Sequence, residues 1–114
     1  MINPNIKTIN VHELKNKMKN YPDLCLIDVR ELNEWEEFHI PGAIHIPKDS
    51  IISSIESKIP NKNQAIYLHC KAGVRSLYAA QSLITLGYQE VYSVNGGILE
   101  WASSGYPIEK IHNF

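Results

Sequence analysis

Hydrophobic positions along the chain fall into two patterns: short apolar runs, and longer segments in which apolar residues recur every three or four positions. The first pattern is typical of β-strands and the second of amphipathic helices. Strand-like runs lie at 6–9, 24–29, 41–47, 65–69 and 90–94. Helix-like segments lie at 11–20, 33–38, 49–59, 76–86 and 98–104. Strands and helices therefore alternate, which predicts an α/β fold with a parallel sheet and helices on both faces.

Several side chains mark where the predicted helices begin and end. Asn10 is followed three residues later by Glu13, which is the spacing of a capping box. Asn33 is expected to cap the second helix, and Gly87 is expected to end the fourth. The third helix is expected to bury an apolar face of isoleucines, Ile51, Ile52, Ile55 and Ile59. These signals predict one domain over residues 1–114.

Composition and charge narrow the possible partners. The chain has 114 residues, 44% of them hydrophobic, and a formal net charge of −1. This gives no global basic field to attract nucleic acid or an anionic membrane. No apolar run approaches the roughly 20 residues of a membrane span, and the N-terminus does not resemble a secretory signal. We therefore expect a cytoplasmic protein, monomeric by default, that binds neither nucleic acid nor membrane.

Neither a metal nor a cofactor is expected. The two cysteines form no C-x-x-C pair, and the five histidines have no ligand-like spacing with cysteine or carboxylate residues. Free thiols fit a reducing compartment, where such a residue is more often reactive than structural.

The segment HCKAGVRS, residues 69–76, is where chemistry is expected. A strand ends directly before Cys70 and a helix begins near Arg75, so the loop lies at the carboxyl edge of the sheet, where α/β folds bind ligands. Successive N–H groups of such a loop form an anion-binding nest, and Gly73 allows the tight curl. That environment favours the Cys70 thiolate, while Lys71 and Arg75 add positive charge. The pattern favours a reactive cysteine over a buried, inert one in an ordinary strand–helix turn.

HCKAGVRS resembles the active-site loop of the rhodanese family of sulfurtransferases. Three further segments resemble rhodanese segments in the family's order: LIDVRE (26–31), HIPGAIHIP (39–47) and VNGGILEWASSGYP (94–107). The resemblance spans roughly residues 7–108, the core of the predicted domain, and implies the rhodanese-like three-layer fold, with helices on both faces of a central parallel sheet of five strands. One departure is Phe38, which takes the place of the glycine that rhodaneses usually have before the histidine of HIPG. That departure casts doubt on the local backbone conformation.

The resemblance also implies a mechanism. Cys70 would take a sulfane sulfur from a donor such as thiosulfate, carry it as a persulfide, and pass it to cyanide, a thiol or a protein cysteine. The substrate would be held by the rest of the loop, Lys71, Ala72, Gly73, Val74, Arg75 and Ser76. Six residues run from Cys70 to Arg75, whereas related dual-specificity phosphatases and arsenate reductases use a loop one residue longer. The alternatives are such a phosphatase or reductase, and a non-catalytic rhodanese-like binding module.

Other residues are expected to support the loop. By resemblance, Asp28 anchors neighbouring loops and Arg30 makes ion pairs near the site. His69 is expected to turn away from the thiol, because neighbours on a strand point to opposite faces, and not to act as a general base. Ser76 either simply begins the helix or also offers its hydroxyl to Cys70.

Cys25 and the two tryptophans are expected to be packing residues. By resemblance, the strand of Cys25 lies beside that of Cys70, which places Cys25 roughly 10 Å below the level of Cys70. A disulfide needs Cα atoms within about 7 Å, so we expect no bridge between them. Trp35 and Trp101 are expected to pack against other side chains, with the rim of the site as an alternative place for Trp35.

Overall fold

Among residues 6–110, which the computed structural model describes, five strands form one parallel sheet. They are β1 (Lys7–Ile9), β2 (Cys25–Asp28), β3 (Ile44–His45), β4 (Ile66–His69) and β5 (Val91–Val94). Their spatial order is β1-β5-β4-β2-β3, so β4 is central and hydrogen-bonds to β5 on one side and β2 on the other. The predicted parallel sheet is confirmed. Its topology places the residue after β4, Cys70, in the middle of the carboxyl edge.

Helices cover both faces of the sheet, as predicted. They are α1 (Val11–Asn20), α2 (Leu32–Glu37), α3 (Ile51–Lys58), α4 (Val74–Thr85) and α5 (Gly97–Ser103), with a turn of 3-10 helix at Lys48–Ser50 before α3. On one face, α3 and α4 contribute Ile55 and Leu83 to a buried cluster. On the other face, α1 and α5 contribute Leu14 and Trp101 to a second cluster. Since each fully buried side chain of this size stabilises the fold by roughly 1.5–3 kcal/mol, the two clusters hold the sheet from both sides.

The beginning of α1 is confirmed and that of α2 is not. The Asn10 side chain accepts from the Glu13 N–H at 2.8 Å, and the Glu13 carboxylate accepts from the Asn10 N–H at 3.0 Å. The prediction that Asn33 caps the second helix is wrong, because α2 already begins at Leu32. The preceding residue, Glu31, has extended backbone and donates its N–H to the Glu34 carboxylate at 2.9 Å. The Glu34 carboxylate therefore accepts the N–H of the residue that precedes the helix, and Asn33 lies inside the first turn.

The apolar face of α3 is narrower than predicted. Ile51 and Ile55 are buried, but Ile52 is 59% exposed, so its predicted place in the core is wrong. Successive helical residues are rotated by about 100°, which turns Ile52 to solvent once Ile51 and Ile55 face the sheet. Gly87 ends α4 as predicted, with a φ of +100° that glycine adopts readily.

Phe38 occupies a backbone conformation open to any residue. Its φ of −167° and ψ of 153° are extended, so the side chain in place of the family's usual glycine causes no strain. Its carbonyl accepts a hydrogen bond from Arg30 Nη2 at 2.7 Å. The departure at this position is thus accommodated.

The longest helix, α4, has 12 residues. Within residues 6–110, no helix has both the length and the apolar character needed to cross a membrane.

Candidate active site

The loop after β4 turns tightly into α4. Cys70 leaves the strand, and Gly73 adopts a φ of +112° as the residue before the helix. An L-residue rarely adopts that conformation, so glycine allows the chain to reverse within three residues. The helix then begins at Val74, two residues earlier than predicted. Its N–H groups, which have no partner inside the helix, are thereby aimed back at Cys70.

Hydrogen-bond donors converge on the sulfur of Cys70. Its Sγ accepts from the Gly73 N–H at 3.1 Å and from the Ser76 N–H at 3.4 Å. The Ser76 hydroxyl lies 3.6 Å from Sγ and 2.8 Å from the hydroxyl of Ser93 on β5. Ser76 thus lies in the first turn of α4 with its hydroxyl in contact with the thiol, and the same hydroxyl donates to the Gly73 carbonyl at 3.2 Å.

These contacts lower the pKa of the Cys70 thiol. Burial alone raises the pKa, because only 1% of the residue is exposed and a charge there loses its hydration. The Ser76 hydroxyl and the N–H groups of Ser76, Gly73 and Ala72 outweigh that effect. A helix N-terminus adds positive potential of the same sign. The loop therefore stabilises a thiolate, the nucleophilic form of cysteine, without a neighbouring base.

The carbonyls of the loop are held on its outer side by α5. The Ile98 N–H donates to the Cys70 carbonyl at 3.0 Å, and the Leu99 N–H donates to the Lys71 carbonyl at 3.1 Å. This approach requires glycine at position 97, because a Cβ there would lie 2.4 Å from the Lys71 oxygen and 2.6 Å from the Cys70 oxygen. With the carbonyls fixed outward, the N–H groups remain directed at Sγ. The sequence alone does not predict this contact of the glycines at 96–97 with the loop. Their place directly after β5, the strand next to β4, is the signal that could have revealed their role.

Arg75 makes a two-pronged ion pair with Glu34 of α2. Its Nη1 and Nη2 lie 2.6 Å and 3.0 Å from the two carboxylate oxygens of Glu34. The Arg75 hydrogen bond is the main cause that lowers the pKa of Glu34 to about 2, against the opposing effect of burial. Sequence reasoning did not single out Glu34, since its distance of 41 residues from Arg75 gives no local signal. Lys71 is an exposed residue of the loop.

Asp28 and Arg30 form a buried ion pair behind the loop. Arg30 Nε lies 3.0 Å and 3.1 Å from the two Asp28 oxygens, and Nη2 lies 2.8 Å from Oδ2. Both side chains are almost fully buried. The guanidinium also donates to the Phe38 carbonyl and lies over the Phe38 ring, 5.6 Å from its centroid. Through Phe38, this ion pair connects the end of β2 to the segment that follows α2.

His69 lies between Asp28 and the backbone of Cys70. Its Nδ1 donates to the Cys70 carbonyl at 3.1 Å, and its Nε2 lies 3.5 Å from Asp28 Oδ2. Burial is the main cause that lowers the pKa of this imidazole, although the Asp28 charge acts in the opposite direction. Nε2 has no hydrogen-bond partner among the described residues. The imidazole ring thus binds the backbone carbonyl of Cys70, and through this hydrogen bond it supports the loop.

Cys25 is buried far from Cys70 along the sheet. In the register of β2 and β4 it pairs with Ile66, four residues before Cys70. At about 3.3 Å per residue, that is roughly 13 Å of strand. Both cysteines are free thiols. Burial raises the pKa of Cys25 to about 11, so this thiol is protonated and unreactive at neutral pH.

The two tryptophans lie in different surroundings. Trp101 is buried, and its indole N–H donates to the Pro107 carbonyl at 2.7 Å. Trp35 is half-buried on α2 and stacks on His39 with ring centroids 3.7 Å apart. It also stacks on His45 at 5.1 Å. Through these stacking contacts, Trp35 holds α2, and therefore Glu34, against the segment that contains the two histidines.

Comparison with known proteins gives one consistent result. A model of the Rhodanese-like domain family matches residues 10–104. The chain is 32% identical over 103 residues to a sulfurtransferase of Allochromatium vinosum, a match that covers 90% of this chain and 94% of that protein. The crystal structure of a rhodanese-like domain protein from Staphylococcus aureus superposes with a TM-score of 0.77 at 32% identity, covering 94% of this chain and all of that one.

A further relative is much longer than this chain. The chain is 40% identical over 102 residues to the probable adenylyltransferase/sulfurtransferase MoeZ of Mycobacterium tuberculosis. The match covers 88% of this chain but only 26% of that protein. The likeness therefore concerns about a quarter of MoeZ.

Proposed function

Because the chain belongs to the rhodanese-like domain family, we propose that it is a sulfurtransferase that carries sulfane sulfur as a persulfide on Cys70. The observation that carries the proposal is the set of donors around Sγ. Two backbone N–H groups and one hydroxyl contact a sulfur that is almost fully buried. Such an arrangement stabilises a negatively charged sulfur at that place.

The first step loads the sulfur. With thiosulfate as donor, the Cys70 thiolate attacks the outer sulfur, the new S–S bond forms, and the S–S bond of the donor breaks. Sulfite leaves with the bonding electron pair, and the product is the anionic Cys70 persulfide. The negative charge then sits on the terminal sulfur, which the N–H groups of the loop stabilise.

The second step returns the enzyme to its starting state. A nucleophile attacks the terminal sulfur, the Cys70 S–S bond breaks, and the electron pair returns to Cys70 as thiolate. With cyanide the product is thiocyanate, and with a thiol or a protein cysteine it is a new persulfide. Free enzyme and persulfide alternate, so the kinetics are ping-pong.

The compactness of the loop supports sulfur as the cargo. The six residues from Cys70 to Arg75 close around one sulfur atom, and the N–H groups of Gly73 and of the following residue, Ser76, point to Sγ. A phosphoryl group needs donors for three further oxygens beyond the attacking sulfur. Two relatives fit a role in sulfur supply: their names are sulfurtransferase and putative sulfur carrier protein, although the chain spans only about half of the second.

The proposed setting is a reducing compartment such as the cytoplasm, with the protein acting as a monomer on small sulfur anions or persulfides and on thiol acceptors. The two free, buried thiols fit that setting, because an oxidising compartment would oxidise an activated cysteine.

The test compares wild type with Cys70→Ser, and uses Cys25→Ser as the matched control cysteine. After incubation with thiosulfate or an organic persulfide, wild type and Cys25→Ser are expected to gain the mass of one sulfur atom and to form thiocyanate from cyanide. Cys70→Ser is expected to do neither. Activity retained by Cys70→Ser, or no sulfur gained from any sulfane donor, contradicts the proposal. Phosphate-ester hydrolysis without the sulfur adduct would instead indicate a phosphatase, and neither reaction a non-catalytic module.

A further inference from the structure

We infer that Glu34 sets the donor preference of the Cys70 site by neutralising Arg75, and that the preferred donors are persulfides of organic or protein thiols over dianions such as thiosulfate. This inference rests on the proposed function, because it concerns which molecule delivers the sulfur. Its physical basis is the charge that the loop presents to an incoming donor.

The ion pair removes Arg75 as an anion-binding group. Both terminal nitrogens of its guanidinium face the carboxylate of Glu34, at 2.6 Å and 3.0 Å. This is the two-pronged geometry in which arginine would otherwise bind a sulfonate or phosphate group. A donor that used Arg75 in the same way would first have to displace Glu34.

Glu34 is also fixed in place by its surroundings. Its Oε1 accepts the Glu31 N–H at 2.9 Å, a bond that belongs to the start of α2. The next residue, Trp35, stacks on His39 and holds the helix against the protein. The carboxylate is thus preorganised toward Arg75, and the pKa of Arg75 is raised chiefly by this hydrogen bond.

The charges left near the loop do not favour a dianion. Within the described part of the chain, Arg75 and Glu34 cancel each other, and the negative charge of Glu31 also acts on Arg75. Lys71 remains as an exposed cation of the loop. Thiosulfate and the Cys70 thiolate are both negatively charged and repel each other. The side chains around the loop supply little net positive charge to offset that repulsion.

Two exposed apolar residues adjoin the loop, one at its end and one in the helix that binds its carbonyls. Val74, in the first turn of α4, is 64% exposed, and Leu99, whose N–H binds the Lys71 carbonyl, is 49% exposed. An organic or protein persulfide can cover these side chains, whereas a small hydrated dianion cannot. Apolar contact and low charge therefore select the same class of donor.

The corresponding reaction is balanced without a further reagent. The Cys70 thiolate attacks the outer sulfur of R–S–SH, forms the Cys70 S–S bond and breaks the donor S–S bond. The electron pair leaves with R–S⁻, and the proton on the outer sulfur is released from the Cys70 persulfide to solvent or to the departing thiolate.

The charge selection can be measured without sulfur transfer. Cys70 is alkylated with anionic iodoacetate and with neutral iodoacetamide, and the ratio of the two rates is compared among variants carrying Cys25→Ser. Both reagents react with the thiolate, so a change in the thiol pKa cancels in the ratio. Glu34→Gln is expected to raise the iodoacetate:iodoacetamide ratio about fivefold, the order expected for one partly exposed ion pair. Glu37→Gln, which removes the same charge from an exposed position of α2, is the matched control and is expected to leave the ratio unchanged.

Sulfur transfer provides the second measurement. Glu34→Gln is expected to lower the KM for thiosulfate by a similar factor while leaving that for the persulfide of an uncharged thiol, 2-mercaptoethanol, within about twofold. Glu34→Asp, which keeps the charge, is expected to resemble wild type in both assays. An unchanged alkylation ratio in Glu34→Gln, or an equal rise in Glu37→Gln, overturns the inference. Failure of the proposed function has a different signature, which is a wild type that gains no sulfur from either donor whatever the alkylation ratios are.

Discussion

Replacing Gly97 by alanine tests whether the outer contacts of the loop determine its chemistry. The new Cβ would lie 2.4 Å from the Lys71 oxygen and 2.6 Å from the Cys70 oxygen. A Cβ atom and a carbonyl oxygen normally stay more than 3 Å apart, so the loop and α5 would have to separate by about 1 Å. The two carbonyls concerned are those that Ile98 and Leu99 now hold.

The cost follows from three contributions. Alanine at a φ of +57° costs about 1–2 kcal/mol relative to glycine, because its Cβ meets the following carbonyl. The separation also breaks or lengthens the hydrogen bonds from Ile98 and Leu99, at about 1 kcal/mol each. We expect the free energy of unfolding to fall by about 3–4 kcal/mol in total. A displacement of about 1 Å at the N–H donors of Sγ is expected to slow sulfur transfer on the order of 100-fold.

Gly105→Ala is the matched control for this variant. Its φ is +80°, and a Cβ there meets nothing within 4 Å, so it carries the backbone strain without the clash. Urea unfolding is expected to show a loss of about 1–2 kcal/mol for Gly105→Ala, with sulfur transfer unchanged. If Gly97→Ala loses no more stability than Gly105→Ala and transfers sulfur at the wild-type rate, the carbonyl anchoring by α5 does not determine the site.

Two further predictions concern the thiol and the ion pair behind it. Ser76→Ala removes the hydroxyl whose hydrogen bond lowers the pKa of Cys70. Because a hydrogen bond to a charged group contributes about 1.5 kcal/mol, the pH midpoint of iodoacetamide alkylation is expected to rise by about one unit. A midpoint that stays the same or falls contradicts this prediction. Arg30→Met leaves the buried carboxylate of Asp28 without its partner and is expected to lose about 3–5 kcal/mol in urea unfolding, whereas the double variant Arg30→Met/Asp28→Leu is expected to lose less. Equal losses in the two variants would show that the unpaired charge is not the cause.

The architecture could be predicted from sequence because it depends on local patterns. Apolar runs such as 24–29 and 65–69 are long enough to identify strands buried on both faces, and the alternation with helices leaves few topologies. The capping box of Asn10 lies within one turn and is confirmed. The two wrong predictions, the Asn33 cap and the burial of Ile52, each depend on a choice between residues of similar local preference. Glu31, and not the predicted Asn33, is the residue that precedes α2, because the start of the helix depends on where β2 ends and not on capping preference alone.

The site was only partly predictable, because its contacts come from three places on the chain. The position of Cys70 after the central strand follows from local pattern. Glu34 on α2 and Gly97 before α5 reach the loop only through the order of strands in the sheet. A single sequence contains no signal that joins residues 34 and 75, since nothing in the spacing of a helix or a strand relates positions so far apart. The roles of the loop residues in catalysis stay predictions until Cys70 and its neighbours are tested.

The two kinds of positive potential in this loop have different consequences. The N–H groups of Gly73 and Ser76 act on Cys70 through fixed backbone dipoles, and an acidic side chain elsewhere cannot take these donors away. The charge of Arg75 is a side-chain charge, and Glu34 neutralises it with little effect on the donors that face Sγ. Nucleophile activation and attraction of anions are therefore separable in this protein, because they depend on different atoms. A cysteine activated by backbone N–H groups and a neighbouring hydroxyl needs no positively charged surface around it, and such a thiol can accept sulfur from an apolar, weakly charged donor that an arginine-rich site would bind only weakly.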